Sequence, residues 1–238
     1  MNKILLIGEP MELLTADEGN SLAEAVNFRA SVSGAELNTA TGLSRLGYDT
    51  VYITRLGNDP HAERIRAFIA RNGIDGKHIV TDPEHQTGAM TKRKSPDGMH
   101  EIHYYRQCSA ASYLCEDDVK DIDLGEFRVL YFSGIFPTIS AEAAQAARHL
   151  VQRAHDNDIT VVFDPNLRCR LWTEDPSTIA LLNEFAASAD VFLPSLKEAE
   201  KLCGLDDPEK IADHYLSLGT KKVVVKLGKR GAYYKSHV

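Results

Sequence analysis

The sequence predicts an α/β fold, in which a doubly wound, mostly parallel sheet carries helices on both faces and a small β lid is added. Short apolar runs alternate with helical stretches of roughly 10 to 17 residues, the pattern of βα repeats. Runs such as Val161-Val162-Phe163 are continuously apolar, as is typical of strands covered on both faces. Two segments, at about residues 9–32 and 87–107, interrupt the alternation and are predicted to form the lid.

The first half of the chain contains strands, helices and a hairpin. Apolar periodicity and end signals place strands at 3–8 and 50–54, and helices at 33–46 and 60–72. Ser33 is the expected N-cap of the first helix, and Gly73 stops the second. Two β-like runs, 87–94 and 99–107, flank the turn sequence Ser95-Pro96-Asp97-Gly98 and predict a hairpin.

The second half has a more regular rhythm. Its predicted strands lie at 129–133, 159–164, 191–194, 222–226 and 232–235. Its predicted helices lie at 141–157, 177–188, 197–203 and 208–218. The length of 238 residues fits a single large domain, with or without an appendage.

Composition disfavours several classes of partner. Lys and Arg number 27 against 34 Asp and Glu, a net charge of −7, and the densest basic run is only Lys92-Arg93-Lys94. A nucleic-acid or membrane-surface partner is therefore not expected, since both usually require a basic face. No apolar stretch approaches the ~20 residues of a membrane span. The cysteines show neither CxxC nor Cys/His ligand spacing and are expected to be reduced thiols of a cytoplasmic protein. They are Cys108, Cys115, Cys169 and Cys203.

Small and polar residues follow the predicted strands, where an open α/β sheet binds its ligands. The segments are 8–10, 133–134, 164–168, 194–198 and 227–231. The sequence has no GxxxxGK[ST], no GxGxxG after the first strand, no GxSxG and no HExxH. His100 and His103 lie three apart on a predicted strand, hence on opposite faces, which is poor geometry for a metal.

A specific signature begins at Gly34-Ala35-Glu36-Leu37-Asn38-Thr39-Ala40 and continues with Gly47 and Gly57. It resembles the N-terminal signature of the ribokinase-like (PfkB) sugar kinases, with Ser33 where the family usually has a first Gly. Further segments are similar to the 2-keto-3-deoxygluconate kinases of that family. They are Gly8-Glu9-Pro10, His103-Tyr104-Tyr105-Arg106, Ser109-Ala110-Ala111, Phe163-Asp164-Pro165-Asn166-Leu167-Arg168 and Leu171-Trp172.

The resemblance implies a kinase that uses ATP and Mg²⁺ to phosphorylate 2-keto-3-deoxygluconate to its 6-phosphate; it leaves open whether a monovalent cation assists. Gly34 leaves room at a helix start, and Asn38, one turn on, offers a donor and an acceptor to hydroxyls. Tyr104 and Arg106, two apart on a predicted strand, share a face, so that Arg106 can pair with the carboxylate of the sugar acid. The substrate-binding residues implied are Gly34, Ala35, Glu36, Leu37, Asn38, Tyr104, Arg106 and Arg168.

The resemblance also assigns residues to the nucleotide. Arg168 is the auxiliary stabiliser of charge during phosphoryl transfer. Glu198 matches the acidic residue of the family's Asn-x-x-Glu motif and is expected to act on magnesium indirectly, through water. Ser195 replaces the Asn of that motif, which weakens the prediction of metal contact. The nucleotide-binding residues implied are Asn166, Arg168, Ser195, Lys226, Gly228 and Gly231.

Each of these residues also has a plain structural interpretation. Gly34 can be a helix-start turn, Asn38 an exposed first-turn residue, and the Tyr104/Arg106 face a solvated sheet face. Arg168 can be a surface arginine and Glu198 a helix-face glutamate. Gly228 and Gly231 together can be an ordinary hairpin turn.

The family's catalytic Asp lies in a Gly-Ala-Gly-Asp segment, and no Gly-x-Gly-Asp occurs in this sequence. The expectation is that this segment lies beyond Val238, that residues 1–238 form a ribokinase-like domain lacking its C-terminal part, and that the chain alone is inactive or nearly so. Two alternatives stay open: a kinase for a fructose- or ribose-type sugar, and a non-catalytic sugar-binding remnant. A homodimer or higher oligomer formed through the lid is the expected protein partner.

Overall fold

The computed structural model describes residues 3–17, 21–94, 100–168 and 175–237. The chain forms two compact units, one made of Met1–Leu5 and Val119–Val238, the other of Leu6–Asp118. The predicted turn at residues 95–98, Cys169 and the Leu171-Trp172 pair lie outside the described residues.

The secondary structure alternates strands and helices. The strands are β1 (Lys3–Ile7), β2 (Met11–Ala16), β3 (Phe28–Ser33), β4 (Thr50–Gly57), β5 (Asp75–Asp82), β6 (Ala89–Lys94), β7 (His100–Tyr105), β8 (Phe127–Ser133), β9 (Thr160–Asp164), β10 (Val191–Phe192), β11 (Lys222–Lys226) and β12 (Ala232–Ser236). The helices are α1 (Ala35–Arg45), α2 (Pro60–Arg71), α3 (Ala141–Asp156), α4 (Pro176–Ser188), α5 (Leu196–Cys203) and α6 (Pro208–Leu218).

The first unit is built on a sheet whose strand order is β12-β11-β10-β9-β8-β1. Strands β8 to β11 run parallel, and β12 is antiparallel to β11. Helices α3 and α4 pack on β9, and α6 packs on β11. This arrangement confirms the predicted α/β class, with a mostly parallel sheet and helices against it.

An aromatic cluster forms the core of the first unit. Phe132 of β8, Phe163 of β9 and Phe192 of β10 line up across the sheet, with ring centroids 5.0 Å apart for the first pair and 5.8 Å for the second. Phe185 of α4 meets Phe132 edge-on at 5.2 Å, and Tyr215 of α6 lies 4.5 Å from Phe192. Aromatic contacts of this kind add to the free energy gained by burial. The cluster therefore fixes neighbouring strands whose carboxyl ends carry the predicted nucleotide residues.

Asp190 aligns the short strand β10 with both of its neighbours. Its amide donates to the Val161 carbonyl at 2.9 Å, and its carboxylate accepts from the Val161 amide at 2.7 Å. On the other side its carbonyl accepts from the Lys222 amide at 2.9 Å, and its carboxylate pairs with the Lys221 ammonium at 2.6 Å. One residue thus contacts the strands on both sides of β10.

The second unit contains the sheet β1-β4-β5 and the helices α1 and α2. Strand β4 runs parallel to β5. The sequence did not predict β5, because its residues, Asp-Gly-Lys-His-Ile-Val-Thr-Asp, are mostly polar. Helix α2 starts as its sequence suggests: Asp59 is the N-cap, its side chain accepts from the Ala62 amide at 2.8 Å, and Pro60 occupies the first turn.

A separate four-stranded sheet belongs to the second unit, with strand order β3-β2-β6-β7. Strand β2 is antiparallel to β3 and parallel to β6, and β6 is antiparallel to β7. We call it the lid sheet; its action as a lid stays a prediction. The prediction that Ser33 caps α1 is wrong, because Ser33 is the last residue of β3, paired with Met11, and Gly34 is the N-cap without a side-chain hydrogen bond.

Asp82 anchors the segment that leads from β5 to the lid strand β6. Its carboxylate is 1% exposed and accepts from the backbone amides of Glu84 and His85 at 2.8 and 2.9 Å. It also accepts from Arg55 Nε at 2.8 Å, while the same guanidinium reaches Asp118 at 3.2 Å. Burial alone would raise the pKa of Asp82, but these donors hold it well below its usual value.

No helix in the described part of the chain has the length and apolar character needed to cross a membrane. Among the described residues, Cys108, Cys115 and Cys203 are free thiols.

Candidate functional site

Gly34, at the start of α1, packs tightly against the chain that leaves β1. Its φ of 149° is in the region that favours glycine. A Cβ there would lie 3.0 Å from Pro10 Cα and 3.1 Å from the Glu9 carbonyl oxygen. The glycine therefore brings the first turn of α1 against Glu9 and Pro10, and the approach of a sugar at this position stays a prediction.

The other residues of the α1 signature divide between core and surface. Glu36 is fully buried, and its side chain lies against Gly8, where a Cβ would come within 2.7 Å of Glu36 Cγ. Leu37 is also buried in the core. Asn38 is exposed in the first turn of the helix, and Ala35 is half-buried. Of the predicted sugar contacts on α1, Asn38 is the polar side chain that faces solvent.

Arg106 lies directly after the lid strand β7. The prediction that Tyr104 and Arg106 lie on one strand is wrong, because β7 ends at Tyr105. The reason is a turn, in which the Ser109 amide donates to the Arg106 carbonyl at 3.1 Å. Tyr104 stays in the strand, opposite Met90 of β6. Arg106 instead directs its guanidinium to Glu9, the residue after Gly8.

Glu9 is the centre of this group of residues. Its carboxylate is fully buried; one oxygen accepts from the Ser109 hydroxyl at 2.6 Å and the other pairs with Arg106 Nη2. Burial raises the pKa of Glu9, and the charge of Arg106 and the Ser109 hydrogen bond offset part of that increase. The structure thus gathers Gly34, Glu36 and Arg106 around residues 8–10 in the second unit.

A second group of predicted residues lies in the first unit, at the carboxyl ends of β9, β10 and β11. Both carboxylate oxygens of Asp164, the last residue of β9, accept from the Lys226 ammonium, at 2.8 and 2.7 Å. Its carboxylate also accepts from the Asn166 amide at 3.1 Å. Burial raises the pKa of Asp164, and Lys226 counteracts this in part. Asn166 adopts a positive φ of 44°, which is uncommon for a residue other than glycine.

Glu198 clamps two backbone segments together. One oxygen accepts from the Leu167 amide at 2.9 Å, and the other accepts from the Ser195 amide at 2.6 Å. The Ser195 hydroxyl in turn accepts from the Glu198 amide, which completes a capping box at the start of α5. Glu198 therefore holds residue 167, between the predicted phosphate contacts Asn166 and Arg168, against the helix start.

Gly228 and Gly231 form the turn between β11 and β12. Their φ values are 62° and 88°, and a Cβ at either position would meet no atom within 4 Å. The Leu227 amide donates to the Gly231 carbonyl at 2.8 Å, which closes the turn. The open space beside both glycines fits the predicted approach of a phosphate to the backbone. Arg168 is exposed, so its side chain is accessible to a ligand.

Metal-ligating side chains do not cluster in the described residues. No three His, Cys, Asp or Glu side chains come together in ranges 3–17, 21–94, 100–168 and 175–237. Each oxygen of Glu198 already accepts a backbone amide, and Asp164 is paired with Lys226. The prediction that Glu198 acts through water stays a prediction.

Two residues of these groups were not predicted as site residues, namely Glu9 and Asp164. Both lie in segments that the sequence had marked, Gly8-Glu9-Pro10 after the first strand and Asp164-Pro165 after the strand at 159–164. An acidic residue at the carboxyl end of a parallel strand was the available signal. Its partners, Arg106 for Glu9 and Lys226 for Asp164, come from distant parts of the sequence.

Comparison with known proteins gives consistent matches. A family model described as pfkB family carbohydrate kinase matches residues 1–238. The 2-dehydro-3-deoxygluconokinase of Bacillus subtilis (strain 168) is 35% identical over 230 residues, which cover 96% of this chain and 71% of that relative. Fructokinase-1 of Zea mays is 29% identical over 217 residues, which cover 91% of this chain and 67% of that relative. The PfkB protein from Polaromonas sp. JS666, known from a crystal structure, is 39% identical in sequence to this chain. The two structures superpose with a TM-score of 0.93, and the match covers 100% of this chain and 80% of the Polaromonas chain.

Proposed function

Because the chain belongs to the pfkB family of carbohydrate kinases, we propose that it is built to phosphorylate 2-keto-3-deoxygluconate with ATP. In that reaction the 6-hydroxyl oxygen forms a bond to the terminal phosphorus of ATP, the bond from that phosphorus to the bridging oxygen breaks, and ADP and a proton leave. The observation that carries the choice of sugar is the position of Arg106. Its guanidinium lies beside Glu9, whose backbone packs on Gly34, the first residue of the sugar signature.

The second unit supplies the sugar contacts in this proposal. The carboxylate of the sugar acid distinguishes it from fructose and ribose, which are neutral. A guanidinium with five donors suits a carboxylate, and Arg106 is the cation that pairs with Glu9, whose backbone lies against Gly34. Asn38 and Tyr104 serve the hydroxyl groups.

The first unit supplies the nucleotide contacts in this proposal. The open glycine turn at Gly228 and Gly231 leaves room for phosphate oxygens to approach the backbone. Asn166 and Arg168 follow β9, and Arg168 brings positive charge to the transferred phosphoryl group. Ser195 starts α5, whose N-terminus favours negative charge. Magnesium, where it takes part, neutralises phosphate charge.

The test is calorimetric titration of the chain with 2-keto-3-deoxygluconate and, separately, with fructose. We expect Arg106→Ala to weaken binding of the acid sugar by roughly 10- to 100-fold, because it removes charge-assisted hydrogen bonds worth about 1.5–3 kcal/mol. Binding of fructose should change by less than about threefold. Arg93→Ala is the matched control, since Arg93 pairs with Glu101 in the lid sheet at 3.0 Å. Equal losses for both sugars would remove the argument for an acid substrate.

A second candidate is a non-catalytic sugar-binding protein, which would bind the sugar acid without transferring phosphate. The two candidates separate in one sample. Formation of ADP is measured with ATP, Mg²⁺ and the sugar acid at concentrations where calorimetry shows the sugar bound. ADP formation that requires the sugar identifies a kinase and excludes the second candidate.

The lid sheet is also our proposed self-association surface. Phe28 on β3 and Tyr105 on β7 expose apolar side chains on the two outer strands of that sheet, and Val26 lies just before β3 with 82% of its surface exposed. Outer strands with apolar side chains pair readily with another copy. Light scattering coupled to gel filtration should give twice the 26.3 kDa chain mass. The variant Phe28→Lys should return it to the single mass.

A further inference from the structure

Glu9 connects the two parts of the candidate sugar site. Its backbone carbonyl lies 3.1 Å from the position of a Cβ on Gly34, so it packs against the start of α1. Its carboxylate pairs with Arg106 and accepts from Ser109, the two ends of the turn that follows β7. One residue thus joins the helix that begins the sugar signature to the turn that carries the proposed carboxylate-binding arginine.

The contact is well enclosed. The Glu9 side chain is 0% exposed and that of Arg106 is 11% exposed. A Cβ on Gly88 would come within 2.9 Å of a Glu9 oxygen, so the glycine provides the room that the carboxylate occupies. A buried carboxylate is costly unless it is paired and hydrogen-bonded, and both of its oxygens are used here.

We propose that Glu9 is a positioning residue that fixes the guanidinium of Arg106 and thereby sets the preference for an acid sugar over a neutral one. The inference rests on the proposed function, since it assumes that Arg106 binds the sugar carboxylate. A guanidinium has five donors, so its pairing with Glu9 leaves donors for a second carboxylate. Holding a long side chain in place before binding removes the entropy loss that its ordering would otherwise cause.

The variant Glu9→Gln tests this directly, because it keeps the size of the side chain and one acceptor oxygen but removes the charge that holds Arg106. Calorimetry should show roughly a tenfold loss of affinity for 2-keto-3-deoxygluconate. The affinity for fructose should stay within about threefold of the starting chain. Glu101→Gln is the matched control, since it breaks a Glu–Arg pair of 3.0 Å with Arg93 in the same unit. It should alter neither affinity.

A double-substitution cycle separates positioning from a structural effect. In the Arg106→Ala background, Glu9→Gln should cause no further loss of acid-sugar affinity, because the group that it positions is absent. Losses that multiply, or equal losses for acid and neutral sugars, would overturn the role of Glu9. Ser109→Ala keeps the charge of Glu9, removes one hydrogen bond and should lower the acid-sugar affinity by about two- to fivefold. It replaces Glu9→Gln in the cycle if that variant does not fold.

The outcomes distinguish the two proposals. If Arg106→Ala weakens binding of the acid sugar and Glu9→Gln and Ser109→Ala do not, the positioning role is overturned and the proposed substrate stands. If Arg106→Ala has no effect on the acid sugar, the proposed substrate fails, and the role of Glu9 fails with it.

Discussion

The substitution Asp82→Asn should destabilise the second unit far more than the same substitution at Asp17. Asp82 holds Arg55 Nε at 2.8 Å, and Asp17 holds Arg29 at 2.9 Å. The two ion pairs have nearly equal length and differ in exposure. The Asp82 and Arg55 side chains are 1% and 22% exposed, whereas Asp17 and Arg29 are 43% and 78% exposed.

The expected magnitude follows from the contacts that each variant keeps. With Asn at position 82, one oxygen can still accept the amides of Glu84 and His85, but the NH₂ group then faces Arg55 Nε, so donor meets donor. The loss of a charge-assisted hydrogen bond and of a buried counter-charge amounts to about 2–4 kcal/mol. The exposed pair contributes about 0.2–1 kcal/mol at most, because water and salt screen it.

Urea unfolding at pH 7, monitored by circular dichroism, measures the loss of stability for both substitutions. The free energy of unfolding should fall by at least about 1.5 kcal/mol more for Asp82→Asn than for Asp17→Asn. Equal losses would show that burial does not govern the strength of these ion pairs and would refute the reasoning.

The effect of pH gives an independent check. The pKa of Asp82 is lowered on folding, from an ordinary value of 3.8. The unfolded chain therefore takes up a proton at this residue at a higher pH than the folded chain does. The stability that Asp82 contributes is fully present above that ordinary value and is lost as the pH falls below it. The difference between the original chain and Asp82→Asn should thus be constant above about pH 5 and shrink progressively as the pH falls further.

Two further substitutions test the candidate site. Glu198→Gln keeps one acceptor for the amides of Leu167 and Ser195 and should lower the free energy of unfolding by about 1–3 kcal/mol in thermal denaturation, with exposed Glu200→Gln as the control. An equal loss of unfolding free energy from Glu200→Gln would contradict the stabilising role of the two hydrogen bonds that Glu198 accepts. Gly8→Ala forces a Cβ into the Glu36 side chain and should cost about 1–3 kcal/mol. Gly42→Ala, in α1, adds a Cβ that meets no atom within 4 Å and should raise the free energy of unfolding by about 0.5–1 kcal/mol. If both alanine substitutions changed the free energy of unfolding in the same direction, the steric explanation would be ruled out.

Local sequence predicted the elements whose signals are local. Helix α6 occupies residues 208–218 as predicted, because Asp207 caps it, Pro208 starts it and Gly219 ends it. Strand β11 also matches, since three valines lie between charged residues. Ser33 misled the prediction because its pairing with Met11 in the lid sheet, a contact between distant segments, outweighed its preference for a helix N-cap.

The site residues show the same difference between local signals, which the sequence reveals, and contacts between distant segments, which it does not. The capping box of Ser195 and Glu198 is readable from a Ser-x-x-Glu spacing, but the second contact of Glu198, with the Leu167 amide, is not. The neighbours of Arg106 have β character and predict a strand, whereas the chain turns locally between Arg106 and Ser109, and the pair of Arg106 with Glu9 is a tertiary contact. One sequence indicates which residue types gather at a sheet edge, but not which of them pair.

The contacts of Asp190 determine where the chain tolerates an added residue. Strand β10 has only two residues, too few to fix their own alignment against β9 and β11. Side chains alternate between the faces of a sheet, so one residue inserted between Asp190 and Phe192 would turn the Phe192 ring away from Phe163 and Tyr215. An insertion just before Asp190 would leave its four contacts in place. Homologous chains should therefore vary in length before this aspartate and keep a constant spacing after it.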